Sequence, residues 1–151
     1  MGVSRDDVAK LLEVKQDDVN LGTADTGVSD AWLKKAEARL GIKLPPSYVW
    51  FLQQYGGGEI LGDEVFSIYG MEFETISGGD IVYQHIVDQR DRRMSKDEIA
   101  ICRTDFGEVF FFKTSETSEE DEFPVYVHYG TKTERYAGDF LGFLHRRLAE
   151  Q

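Results

Sequence analysis

One segment constrains the fold of this chain more than any other: Leu40 to Gly58, reading LGIKLPPSYVWFLQQYGGG. Gly41 stands where a left-handed helix cap favours glycine, so a helix is expected to end there. Pro45 and Pro46 cannot continue a helix, but either can open one in its first turn. Tyr48, Phe51, Leu52 and Tyr55 then recur at i, i+3, i+4 and i+7, the spacing of one buried helical face. Gly56, Gly57 and Gly58 stop that helix and reverse the backbone. The segment thus predicts two helices meeting at a double-proline hinge, with an aromatic face turned inward.

The rest of the chain divides into helical and strand-like parts. Ser4 with Asp7 forms a helix-start signal, Asp taking the usual place of Glu, and Val8, Leu11 and Leu12 follow at helical spacing. Asn20 to Gly27 reads as a loop. Ser29 or Asp30 can cap a helix that buries Leu33, Ala36 and Leu40, with Trp32 flanking. After the Pro-opened helix the pattern changes: Val65 to Phe73 has the composition of a strand, interrupted at Gly70. Asp80 can cap a further helix whose last turn, Arg90 to Arg93, holds three arginines, as suits a carboxyl end. Ile99–Arg103 and Glu108–Lys113 read as a hairpin around Thr104–Gly107. Phe110, Phe111 and Phe112 predict a central strand covered on both faces. Val125, Val127 and Tyr129 alternate with Tyr126 and His128. Asp139 caps a last helix with Phe140, Phe143, Leu144 and Leu148 inward and Arg146 and Arg147 near its end. Helices first, then grouped strands, then a closing helix predict an α+β fold: a mostly antiparallel sheet of about four to six strands flanked by helices. No repeat or linker divides residues 1–151, so a single domain is expected.

Composition narrows the function. With 17 Lys and Arg against 28 Asp and Glu, the net charge is −11. That disfavours direct contact with nucleic acid or anionic membranes and favours a basic partner. Cys102 is the only cysteine, so no internal disulfide can form and a reducing compartment is compatible. No apolar run approaches the roughly 20 residues of a membrane span. The start, MGVSRDDVAKLLEV, lacks an apolar core with a small-residue cleavage site. A cytoplasmic protein is expected.

Few constellations carry chemistry. Asp105-Phe106-Gly107 spells the kinase metal-binding triplet, but the phosphate-covering loop and catalytic loop that it needs are missing, and it reads as a hairpin turn. The glycines at 56–58 lack phosphate-loop spacing and follow a helix where a phosphate cradle would precede one. His85, His128 and His145 show no ligand spacing, so no metal or cofactor is expected. Cys102 and His128 lie on predicted strands and could pair as thiol and imidazole, but Cys102 continues the buried alternation from Ala100. The unusual feature is acidic: Glu116, Glu119, Glu120, Asp121 and Glu122 place five carboxylates in seven residues. They stay solvated or meet cations of a partner. Asp63 and Glu64 form a smaller patch; Trp50, Tyr55 and Tyr69 are candidates for aromatic anchors inside its charged rim, against the alternative that each belongs to the core.

Leu33, Glu37, Leu40, Gly41, Leu44, Pro45, Tyr48, Phe51, Leu52, Tyr55, Gly56 and Gly57 resemble the signature of the SUKH superfamily, also called the Smi/Knr family: E, then LG, then LP, then Y, FL and GG. The resemblance is specific over residues 29–58, and beyond them the order of elements matches. It implies a non-enzymatic immunity protein that binds a cognate secreted or contact-dependent toxin, a basic nuclease domain, and occludes it one to one; the sequence leaves the oligomeric state open, a monomer being favoured. The toxin-binding residues expected on this reading are Asp63, Glu64, Tyr69, Glu116, Glu119, Glu120, Asp121 and Glu122, while the signature residues mark the core. The other branch of the family implies a regulatory or scaffolding module of cell-wall control.

Overall fold

The computed structural model describes residues 2–150. Five α-helices surround a seven-stranded antiparallel sheet whose spatial order is the chain order, β1 to β7. Helix α1 (Arg5–Val14) begins at a capping box in which the Ser4 side chain accepts from Asp7 N–H and the Asp7 carboxylate accepts from Ser4 N–H. Ser29 caps α2 (Asp30–Leu40), and Gly41 ends it in the left-handed conformation at φ 73°. Pro45 is the N-cap and Pro46 the first residue of α3 (Pro46–Tyr55), which Gly56 stops at φ 71°. Asp80 caps α4 (Ile81–Arg90) and Asp139 caps α5 (Phe140–Ala149).

The sheet comprises β1 (Val19–Leu21), β2 (Gly58–Ile60), β3 (Asp63–Val65), β4 (Glu98–Arg103), β5 (Val109–Lys113), β6 (Val125–Tyr129) and β7 (Lys132–Ala137). Register and the two-residue period separate its faces. Cys102 sits opposite Phe110, and Ile99 opposite Phe112, facing α3 and α5, where Tyr48 packs edge-on against Phe112 and the rings of Phe140 and Phe143 pack tilted against Phe112 and Phe110. Arg103, Val109 and Phe111 face the other way, and α4 covers β4 on that side. All three phenylalanines of β5 are buried, as a central strand requires.

Several local expectations give way to tertiary context. Asn20 and Leu21, expected in a loop, belong to β1, and a 3₁₀ turn follows over Ala24–Thr26. Gly58, expected to be only part of a turn, opens β2 at φ 139°; a Cβ there would lie 2.1 Å from Asn20 O, so the β1–β2 approach demands glycine. Of Val65–Phe73 only Val65 lies in a strand. The segment is buried at Phe66, Ile68 and Phe73 but is diverted by a bridge between Ser67 and Asp80 and by Gly70 at φ 77°. Burial accounts for its β-like composition where ladder pairing does not. Helix α4 stops at Arg90; Arg92 turns left-handed at φ 55°, and Arg93 N–H donates to Asp88 O beyond the helix. Strand β7 has no apolar alternation because it is a charged edge strand, mostly exposed, of the kind that discourages further pairing.

The signature residues of α2 and α3 have definite contacts. Glu37 Oε2 accepts from Leu44 N–H at 2.8 Å, tying the end of α2 to the segment that enters α3. Tyr48 O–H donates to Phe66 O at 2.6 Å in the core. Gly57 packs so closely that a Cβ would lie 2.6 Å from the Ser67 side chain. Phe51 and Leu52 are fully buried.

Candidate functional site

The acidic segment is the β5–β6 connection, and it is pinned at both ends. Near its start Glu116 accepts from Tyr126 O–H at 2.9 and 3.0 Å and lies 3.8 Å from Arg135 Nη1. At its end Glu122 reaches across to α3, accepting from Ser47 N–H at 2.9 Å and from Ser47 Oγ–H at 2.6 Å. Pro45 has no side chain able to cap that helix. Glu122 supplies the missing acceptor, and its charge meets the positive end of the helix dipole. Burial nevertheless pushes the Glu122 carboxyl above its ordinary value, with Asp139 adding to the rise, while the Ser47 bonds and Arg5 oppose it. Between the pins, Ser118 Oγ accepts from Glu120 N–H and Glu122 N–H, and Asp121 adopts φ 62°. Glu119, Glu120 and Asp121 are exposed. Glu120, Glu122, Asp139, His145 and Arg146 border one open groove beside the loop.

The smaller patch has its partners inside the molecule. Asp63 binds Arg147 of α5 at 2.9 Å with both groups largely covered. Burial raises the Asp63 carboxyl, Arg147 opposes, and Asp105 and Glu108 raise it further. Glu64 accepts from Tyr69 O–H at 2.5 Å, and the Tyr69 oxygen accepts from Gly79 N–H at 2.8 Å. Burial first and Glu64 second push the Tyr69 hydroxyl up to about 12. Neighbours on one strand point to opposite sides, so Asp63 and Glu64 serve different faces.

The eight expected toxin-binding residues therefore do not form one cluster. Asp63 feels Asp105 and Glu108, which precede β5, whereas residues 116–122 follow it. The two groups stand at opposite ends of that strand. Asp105 and Glu108 join the Asp63 neighbourhood without any signal in the sequence, because strand register alone brings them there. The approach of Glu122 and Asp139 was equally hidden: each serves a different helix terminus, and only the packing of α3 beside α5 joins them.

No thiol–imidazole pair is assembled. Cys102 is 1% exposed, and burial pushes its thiol up to about 12. His128 lies opposite Val109, on the face of the sheet that Cys102 does not share. Thr104–Gly107 is a turn, and its Phe106 is 82% exposed. Among the described residues, no group of three or more His, Cys, Asp and Glu side chains could hold a metal ion, and no helix is long and apolar enough to cross a membrane.

The described residues thus form a small α+β fold with its one thiol sealed in the core and a pinned loop that exposes Glu119, Glu120 and Asp121. Residues 30–144 match the family described as SUKH_6: SMI1-KNR4 cell-wall, and the chain belongs to that family. Its members are in general non-enzymatic and act through protein partners. No curated protein matches the chain.

Proposed function

We propose that this protein is an immunity protein that binds a cognate protein toxin, a basic nuclease domain, and neutralises it by one-to-one occlusion. The observation that carries the reading is the display of Glu119, Glu120 and Asp121 on a loop pinned by Glu116 and Glu122. A pinned loop presents its charges with less ordering entropy to lose on binding. In a chain of net charge −11 these carboxylates would meet the Lys and Arg that a nuclease uses for phosphates, and long-range attraction would speed capture. Asp63, Glu64 and Tyr69 would contribute a second contact only by exchanging their internal partners. Glu116 and Glu122 serve first as supports of the loop.

The test is association with the candidate toxin, the product of a neighbouring gene, at two salt concentrations. Glu119→Gln, Glu120→Gln and Asp121→Asn together should slow association and flatten its salt dependence, with a smaller change in dissociation. An unchanged on-rate and salt slope would remove the loop from the interface. The cell-wall description of the family favours a second reading, a regulatory or scaffolding module. Protection of cells against the toxin would separate the two, since a scaffold confers none.

A further inference from the structure

On the face of the sheet away from α5, register aligns Arg103, Val109, His128 and Thr133 in one row across β4 to β7. Phe111 and Tyr126 occupy the next row, their rings stacked with centroids 5.9 Å apart. Helix α4 covers only the β4 side, and beyond its end Arg93 and Met94 form a wall. The result is a cavity of about 250 Å³ with Phe111, itself 2% exposed, in its floor. This is the volume of about eight water molecules in the liquid, room for a phenyl ring with a short tail.

The polar groups of this cavity are held in place. Arg103 Nη2 donates to both oxygens of the fully buried Asp88 at 2.6 and 2.7 Å, and Nη1 donates to Gln84 Oε1. The guanidinium is thereby fixed before any ligand arrives, and among the described residues its Nε–H has no acceptor. His128 Nδ1 lies 2.7 Å from Thr133 Oγ1, which orients that ring. Glu98, also at the cavity, is already engaged: it accepts from Ser95 N–H and lies 3.9 Å from Lys113 Nζ. Arg93 has only a 3.5 Å contact with Asp91.

We propose that this cavity is a binding site for a carboxylate carried on a short aromatic or aliphatic body. Asp88 and Gln84 occupy the guanidinium fork, so the donor left for a carboxylate is the Arg103 Nε–H, with Arg93 adding a second positive charge at the cavity, and prior positioning lowers the ordering cost of binding. The apolar body is matched to the walls: Val109 and Met94 keep part of their surface open at the cavity, and a bare phosphate would leave it uncovered. The site is independent of the immunity reading and lies on the face of the sheet opposite α5. The carboxylate could belong to a free organic acid or to an acidic side chain of a protein.

The test is an NMR titration of the full chain that follows the Arg103 Nε–H and Phe111 ring resonances. The probes are 3-phenylpropionate, the uncharged 3-phenylpropionamide and a tripeptide with blocked ends and a central glutamate. Saturable shifts with 3-phenylpropionate are expected, at least tenfold weaker with the amide. Thr133→Trp, at an exposed position of β7, should fill the cavity and abolish the shifts while the fold is kept. Arg103→Lys should weaken binding tenfold or more; should that variant fail to fold, Thr133→Trp carries the test alone. Tighter binding of the peptide than of the free acid would assign the site to a protein carboxylate, and the reverse to a small organic acid. Absence of saturation, equal binding of acid and amide, or shifts that persist in Thr133→Trp would overturn the proposal.

Discussion

Glu122 shows how much one side chain can change role when the chain folds. In sequence it is the last of a run of carboxylates; in the structure it caps α3 through Ser47. Removing it by Glu122→Ala should cost about 1–2 kcal/mol in urea unfolding, the range of a lost helix cap. Its raised carboxyl also sets a sign. As pH rises above 4.5 the unfolded chain releases this proton before the folded one, so the contribution of Glu122 to stability is full below that value and is lost as pH climbs through the folded pKa. Glu122→Gln should abolish that part of the slope and cost less than the alanine variant. Cys102 gives a second prediction. With its thiol pushed up to about 12 and sealed from solvent, alkylation of the native protein at pH 8 should be far slower than of the unfolded chain. On the immunity function proposed above, Cys102→Ser should leave protection largely intact, apart from a modest loss of stability. Phe51, packed against Tyr55 and Phe140, should cost about 3–5 kcal/mol as Phe51→Ala, measured by the same unfolding assay.

At the scale of elements, α3 is the pivot. Its aromatic face was legible because Tyr48, Phe51, Leu52 and Tyr55 carry the helical period in their spacing, and prolines and glycines bracket them. Strands β1, β2 and β3 were not legible. Each is three residues long, too short for alternation to register, and each exists because its neighbours supply hydrogen bonds. Gly58 is where this dependence can be measured. Gly58→Ala would place a methyl group against Asn20 O, so β1 should separate from β2. A loss of about 2 kcal/mol or more, with amide exchange accelerated at Val19–Leu21 while β4 to β6 stay protected, is the expected result.

For the molecule as a whole the net charge of −11 is unevenly used. Part of it is tied down: Asp63 by Arg147, Asp88 by Arg103, and Asp97 by Lys113. Glu119, Glu120 and Asp121 remain on the surface. Neutralising these three takes the net charge from −11 to −8 and should change stability by no more than about 0.5 kcal/mol, read as the urea midpoint at low and high salt. Any gain should appear at low salt, where self-repulsion is least screened. Extending that set to Glu122 should add a loss of stability, because Glu122 alone among them supports a helix.

Local chemistry determined what the sequence could announce by itself: the caps Ser4, Asp80 and Asp139, a cap at Ser29 or Asp30 that the structure places on Ser29, the left-handed stops at Gly41 and Gly56, the buried face of α3 and the central strand of three phenylalanines. Each depends on residues within one or two turns or on simple periodicity. Tertiary structure alone decided the short strands β1 to β3, the charged edge strand β7, the pairing of Asp63 with Arg147, the capping of α3 by Glu122 from 75 residues away, and the cavity over Phe111. In those places the partner that satisfies a hydrogen bond or a charge comes from a distant part of the chain, and no local pattern records which part packing will bring.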